Sequence, residues 1–346
     1  MEFQFKQDVV ATLIQELMAI DSPSGYTQNA IAYIENKANA YQLPFMRTHK
    51  GNGIIYMPGR NAKTTIGVCA HVDTLGLMVR SIKSNGRLCF TKDGGPILPS
   101  LDSELCKVYT REGKVYSGTI YSTSPAAHVF KDAASKERTE DTMEAILDEK
   151  VKSKEEVEKL GIQTGDYICF DPKTTITENG FIKSRFLDDK LSVAIILGII
   201  DFMVENHIQP ENNVKFMFST YEEVGHGMAY IPEDITELLC VDMGCIGQDL
   251  NCSEYDVSIC AKDSSGPYDY QMTGDLIAMA KKHQLQYAVD IYPYYGSDAS
   301  AALRAGHDIR AALIGPGVFA SHGYERSTME AVDQSMQLVY YYLTNQ

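Results

Sequence analysis

The chain has 346 residues, of which 44% are hydrophobic and 22% charged, so it is long enough for a large domain and a smaller one. Its 31 basic and 46 acidic residues give a net charge of −15, which disfavours nucleic acids and membrane surfaces as partners. The eight cysteines form no C-x-x-C pair, which favours reduced thiols and a cytoplasmic location. We expect neither a secretory leader nor a membrane-spanning segment.

The first part of the chain predicts two helices and a buried strand. Apolar residues at helical spacing indicate helices over residues 7–18 and 27–40. The apolar run at 65–72 predicts a strand whose C-terminal end carries His71 and Asp73.

The sequence texture changes between residues 77 and 183, where apolar and polar residues alternate and turn residues recur. The Asn-Gly pair at 85–86 predicts a hairpin turn. The mixed charges at 137–159 predict a solvated helix or a flexible insertion. Further strands are predicted at 105–110, 115–121 and 167–170. We therefore predict that 77–183 is a small β-rich domain, inserted into a larger domain made of 1–76 and 184–346.

The remainder of the chain alternates between predicted helices and strands. Helices are predicted at 190–202, 268–283, 297–304 and 328–343, and strands at 214–220, 238–243, 287–292 and 309–314. This alternation predicts an α/β fold, with a mostly parallel central sheet and helices on both of its faces. In such a sheet, ligands bind beyond the carboxyl ends of the strands.

Histidine and carboxylate side chains follow these strands or begin the helix after residue 186. They are His71, Asp73, Asp188, Glu222, Glu223, Asp242 and His322. Each residue type alone is common in loops and helix caps. Gathered at one edge, however, so many carboxylates would repel one another strongly unless cations neutralised them. Imidazole and carboxylate donors suit zinc, with cobalt or manganese as substitutes.

The donor set fits two divalent metal ions that share one carboxylate. We predict that His71 and Asp242 bind one ion, that Glu223 and His322 bind the other, and that Asp188 bridges them.

Four further acidic residues receive supporting roles in this scheme. Asp73 is placed to accept the second ring N–H of His71 and so fix its tautomer. Glu222 is the predicted general base. Asp189 is expected to support the bridging residue rather than to bind metal. Asp298 either lines the substrate pocket or caps a helix.

Six short motifs, in this order along the chain, resemble the tetrahedral aminopeptidase family, which includes bacterial glutamyl and archaeal leucyl and lysyl aminopeptidases. They are Ala70-His-Val-Asp-Thr-Leu-Gly76, Phe186-Leu-Asp-Asp-Lys190, Tyr221-Glu-Glu-Val-Gly225, Val241-Asp-Met-Gly244, Gly296-Ser-Asp-Ala299 and Ser321-His322. The resemblance covers nearly the whole chain. It implies the same five metal ligands, Glu222 as general acid and base, and a homododecamer that self-associates through the inserted domain.

The expected function is therefore a metal-dependent aminopeptidase that hydrolyses the N-terminal residues of short peptides. Thr74 and the segment Gly323-Tyr-Glu-Arg326 depart from the pattern of many relatives, which leaves the preferred N-terminal residue open. Three alternatives remain on the sequence alone: an N-acyl amino acid deacylase, a carboxypeptidase, and an inactive scaffold. A blocked substrate N-terminus separates the first of these from an aminopeptidase.

Overall fold

The computed structural model describes residues 3–345 and divides into two compact units. The larger unit comprises Met1–Asp73 and Lys173–Gln346, and the smaller one Thr74–Pro172. The predicted insertion extended to residue 183. The structure assigns 173–183 to the larger unit instead, because strand β11 in this stretch pairs with β19 near the C-terminus.

Seven α-helices lie within the described residues: α1 (Gln7–Met18), α2 (Gln28–Ala40), α3 (Lys154–Lys159), α4 (Leu187–Glu205), α5 (Tyr270–Lys282), α6 (Asp298–Arg304) and α7 (Met329–Thr344). The strands of the larger unit are β1 (Phe45–Arg47), β2 (Gly53–Met57), β3 (Asn61–His71), β10 (Thr175–Ile176), β11 (Phe181–Ser184), β12 (Asn212–Ser219), β13 (Ile235–Val241), β14 (Gly244–Cys245), β15 (Val257–Asp263), β16 (Gly266–Pro267), β17 (Tyr287–Ile291), β18 (Arg310–Val318) and β19 (Glu325–Thr328). Those of the smaller unit are β4 (Gly76–Ile82), β5 (Leu88–Asp93), β6 (Glu104–Tyr109), β7 (Val115–Ser122), β8 (Met143–Leu147) and β9 (Tyr167–Phe170).

The larger unit is built on a ten-stranded sheet with the order β1-β2-β12-β3-β13-β18-β15-β16, to which β14 and β17 add at β18 and β15. The four central strands β12, β3, β13 and β18 are parallel. Helix α4 packs against β3 and β18, and α6 packs against β13. The predicted α/β fold, with helices on both faces of the sheet, is confirmed.

Helix α4 is buried over most of its length, which explains why its sequence shows no polar face. Its residues from Leu187 to Ile200 are all buried, so this helix lies in the interior rather than on the surface. No helix of residues 3–345 is both long and apolar enough to cross a membrane.

The smaller unit is a closed barrel with the strand order β4-β5-β8-β7-β6-β9. Strands β4 and β5 form a hairpin across the predicted turn, where Gly86 has a φ of 82°. The prediction for 137–159 was wrong over β8, which is a barrel strand. Met143, Ala145 and Leu147 alternate into the barrel core, while the intervening Glu144 pairs with Lys83 and Arg87. The high charge of the surrounding sequence concealed this alternation.

Candidate metal centre

The candidate site lies at the carboxyl ends of the four central parallel strands. His71 is the last residue of β3, Asp242 follows β13, and Glu222 and Glu223 follow β12. His322 lies in the loop between β18 and β19. Because neighbouring parallel strands end at the same edge of a sheet, these distant parts of the sequence meet in one place.

Asp188, at the start of α4, lies between the two histidines. Its Oδ1 is 3.0 Å from Nε2 of His71, and its Oδ2 is 3.5 Å from Nε2 of His322. His322 Nε2 is also 3.6 Å from Oε2 of Glu223. Each oxygen of one carboxylate therefore faces a different imidazole, which is the arrangement that a bridging ligand requires.

The second ring nitrogen of His71 has a partner that differs from the predicted one. Nδ1 lies 2.9 Å from the main-chain carbonyl oxygen of Asp73, whereas Oδ1 of the Asp73 carboxylate is 3.6 Å away. The residue was predicted correctly as the neighbour of His71, but its carbonyl is the closer acceptor. This carbonyl would fix the imidazole tautomer with Nδ1 protonated and Nε2 facing the cluster.

The Asp73 carboxylate instead holds the loop that carries the two glutamates. Its Oδ1 accepts the backbone N–H of Glu222 at 3.1 Å, and its Oδ2 accepts the backbone N–H of Glu223 at 3.2 Å. The hydroxyl of Ser24 donates to the same Oδ2 at 2.6 Å. Ser24 was not predicted as part of the site, because only the folded chain brings its loop beside β3.

The side chains present fit divalent metal ions. Donor atoms of His71, Asp189 and Asp242 lie within 4.8 Å of one another, as do those of His71, Asp188 and Glu223. Within residues 3–345, Oε1 of Glu223 and Oδ1 of Asp189 are buried without a hydrogen-bond partner. Buried carboxylate oxygens need a cation or a proton, and imidazole with carboxylate is a donor set suited to zinc and similar ions.

Asp189 lies among the donor atoms of the cluster, although it was expected only to support the bridging residue. Its Oδ2 accepts the backbone N–H of His71 at 3.2 Å, which agrees with a supporting role. One of its carboxylate oxygens also lies within 4.8 Å of donor atoms of His71 and Asp242.

Burial and mutual repulsion shift the acid–base properties of the cluster. Burial raises the pKa of Glu222 and Glu223 well above ordinary values, and the negative charges around them add to the effect. Burial, followed by the charge of Asp188, raises the pKa of Asp242 to about 7. Burial opposes ionisation of Asp188 too, but hydrogen bonds from the two imidazoles hold its pKa below the ordinary value. The pKa of His71 is raised despite its burial, because it bonds to Asp188.

Asp298 neither caps a helix nor belongs to the cluster of donor atoms. Ser297 is the N-cap of α6. The Asp298 carboxylate accepts the backbone N–H of Met228 at 2.8 Å and the hydroxyl of Ser219. A Cβ at Gly227 would lie 2.2 Å from Oδ1 of Asp298, so a glycine is needed at that position. Asp298 therefore joins the two ends of the loop that carries the glutamates.

Glu325, the first residue of β19, is a member of the site that sequence reasoning missed. Its buried carboxylate accepts the backbone N–H groups of Asp188 and His322. Burial and the charge of Asp188 raise its pKa to about 8. The only sign in the sequence was its position three residues after His322, in a segment noted solely as a departure from the pattern of relatives.

The fold is that of a known class of peptidase structures. A tetrahedral (TET) aminopeptidase from the archaeon Thaumarchaeota archaeon SCGC AB-539-E09 superimposes with a TM-score of 0.87 over 97% of this chain and 96% of the other, at 20% identity. The Pyrococcus horikoshii TET1 peptidase superimposes with a TM-score of 0.84 over 97% and 100%, at 21% identity.

Sequence comparison then assigns the family. The chain belongs to the M42 glutamyl aminopeptidase family, whose model matches residues 51–338. It is 46% identical to the YhfE protein of Bacillus subtilis (strain 168), which is named for an inferred aminopeptidase activity, over 96% of both chains. The predicted family is confirmed, and the chain is a peptidase-type hydrolase by family.

Proposed function

We propose that this protein is an aminopeptidase that requires two divalent metal ions and removes N-terminal residues from short peptides. The observation that supports this most strongly is the Asp188 carboxylate, whose two oxygens face His71 and His322 separately. Membership of the M42 glutamyl aminopeptidase family supports the choice of reaction.

The predicted ligands are compatible with this geometry. His71 and Asp242 would hold one ion, Glu223 and His322 the other, and Asp188 both. Zinc fits the donor set best, with cobalt or manganese as substitutes. When bound, such ions supply Lewis acidity, which lowers the pKa of water and stabilises negative charge on a carbonyl oxygen.

Glu222 is the proposed general acid and base. Its carboxylate lies 3.8 Å from Nε2 of His71, and its side chain is 13% exposed, so it is within reach of both the cluster and a substrate. As a carboxylate it can take the proton of the attacking water and then give that proton to the leaving nitrogen. Asp73 holds its backbone and thus fixes its position.

Charge supports the choice of the peptide's N-terminus as the end that binds. A free peptide N-terminus is cationic, and the many carboxylates of the site, within a chain of net charge −15, attract a cation.

Self-association is the last part of the proposal. The Pyrococcus horikoshii TET1 peptidase can assemble into a tetrahedron or a large octahedral shell, and a related structure is a dodecamer. We infer that this chain forms a homododecamer through its inserted β-rich unit. Light scattering should then give a mass twelve times that of the 38.4 kDa chain.

The activity is tested with aminoacyl-p-nitroanilides and short peptides, each with a free and an acetylated N-terminus. The protein is assayed with added zinc or cobalt and with a chelator. We expect cleavage of the free-amine substrates alone, its loss with the chelator, and its recovery on addition of metal. The side-chain preference follows from the same panel.

Other outcomes would replace the proposal. Turnover of only the acetylated substrates would indicate a deacylase, and release of C-terminal residues would indicate a carboxypeptidase. Metal-loaded protein that turns over none of these substrates would indicate an inactive scaffold.

A further inference from the structure

We propose that Glu325 is a positioning residue that keeps Asp188 and His322 in register to hold one of the two metal ions. The inference rests on the proposed metal-dependent function and adds a residue outside the predicted ligand set. Its test concerns how tightly each ion is bound, so it does not depend on which substrate is cleaved.

The two oxygens of Glu325 accept hydrogen bonds from two separate parts of the chain. Oε2 accepts the backbone N–H of Asp188 at 3.1 Å, and Oε1 accepts the backbone N–H of His322 at 3.0 Å. Asp188 is 137 residues away in the sequence and His322 is three residues away. One carboxylate thus ties together the main chains of two proposed ligands.

Strand pairing explains how Glu325 comes to lie between these segments. Strands β11 and β19 are antiparallel, and Ser184 is paired with Glu325. The chain that leaves β11 towards Asp188 and the chain that enters β19 from His322 therefore lie at the same end of this small sheet.

Each of the two segments that donate to Glu325 contains a residue in the left-handed region of the Ramachandran plot. Phe186, two residues before Asp188, has a φ of 68°, and His322 itself has a φ of 65°. Residues other than glycine seldom adopt such angles unless the surroundings impose them. The hydrogen bonds that the backbone N–H groups of Asp188 and His322 donate to Glu325 are contacts of the kind that can impose them.

Neither glutamine nor aspartate can accept both hydrogen bonds in place of this glutamate. A glutamine of the same shape offers one oxygen, so one of the two N–H groups would face an NH2 group instead of an acceptor. An aspartate keeps the charge but is one methylene shorter, and it cannot reach both N–H groups. Either change should release the His322 loop and loosen Asp188, so it should disturb the Glu223 and His322 side of the cluster more than the His71 and Asp242 side.

The test is a cobalt titration of the wild-type chain, E325Q and E325D, by calorimetry and by competition with a chelating indicator. We expect two tight ions for the wild type. In the variants, the ion assigned to Glu223 and His322 should bind about 10–100-fold more weakly, which is the usual effect of losing a group that orients a metal ligand. The other ion, which shares only Asp188 with it, should be weakened less. kcat should fall more than KM rises, and excess cobalt should restore part of it. The two variants are read independently, so one that fails to fold does not remove the test.

E144Q is the matched control. Glu144 is also buried, with 2% exposure, but it pairs with Lys83 and Arg87 in the smaller unit. It should bind both ions as the wild type does.

Three outcomes would overturn the inference. Variants that bind both ions with wild-type affinity would show that Glu325 does not position a ligand. Equal weakening of both ions, with a lower melting temperature in chelator, would show a general structural role. A wild-type chain that binds no cobalt would overturn the inference and the proposed function together, whereas the first two outcomes leave the proposed function standing.

Discussion

Removal of divalent metal should make the stability of this protein fall as the pH rises from 5 to 8. Asp242 has an ordinary pKa of 3.8 and a pKa of about 7 in the folded, metal-free chain, because it is buried and lies close to Asp188. A carboxyl with a raised pKa binds its proton more tightly in the folded state. Its contribution to stability is therefore complete below pH 3.8 and is lost as the pH rises through about 7.

The size of the effect follows from the same two values. At about 1.4 kcal/mol per pKa unit, the full difference corresponds to about 4 kcal/mol. Roughly 3 kcal/mol of this is lost between pH 5 and pH 8, since the unfolded state is already ionised there. In a unit of this size, each kcal/mol lost from the free energy of unfolding lowers the melting temperature by roughly 2–4 °C. The melting temperature should therefore fall by about 6–12 °C. Bound divalent ions neutralise the carboxylates and should abolish most of this decrease.

The assay is thermal unfolding between pH 5 and pH 8, with a chelator and with zinc. Asp242→Asn should reduce the pH dependence seen in chelator, because it removes one of the buried carboxyls whose pKa is raised. Asp290→Asn is the control, since Asp290 is buried among backbone N–H donors away from the cluster. Chelated wild-type protein that melts at the same temperature at both ends of the range would refute the reasoning, as would a pH dependence that zinc leaves unchanged.

Two further predictions concern individual side chains. Glu222→Gln should bind metal normally but lose about 10²–10⁴-fold in kcat, the usual contribution of a general acid–base group, whereas Asp188→Ala should lose metal. Elemental analysis after dialysis measures the bound metal, and kinetics measure the loss of kcat. An active Glu222→Gln variant would eliminate that residue as the base. Ser24→Ala removes a donor to the Asp73 carboxylate and should cost about 1 kcal/mol of stability together with part of kcat. Ser22→Ala is the control, since it removes a buried hydroxyl that donates to the Val72 carbonyl, and it should lower stability without changing kcat. Equal losses of kcat in the two serine variants would contradict the role given to Asp73.

The sequence predicted where the site lies because parallel strands impose a simple rule. Each strand was visible as an apolar run, and the polar residues after His71, Val241 and the strand β12 had to meet at one edge. That argument requires no knowledge of side-chain conformations, and the structure brings these residues together at that edge.

Features that depend on long-range pairing were not visible in this way. Glu325 lies between Asp188 and His322 only because β11 pairs with β19, and neither strand was predicted. The choice between the carbonyl and the carboxylate of Asp73 is likewise set by the path of the folded chain, not by residue type. Strand β8 was missed for a third reason, since its alternation is short and is surrounded in the sequence by charged residues.

The position of β3 in the sheet has a consequence for biosynthesis. This strand ends at residue 71, yet its two neighbours in the sheet, β12 and β13, come after residue 211 in the sequence. A ribosome adding about 5–20 residues per second needs roughly 10–30 s to pass from the end of β3 to the end of β13. The whole barrel, Thr74–Pro172, emerges within that interval. Strand β3 therefore has neither of its neighbours available during that interval, and unpaired strand edges in a nascent chain are prone to aggregation.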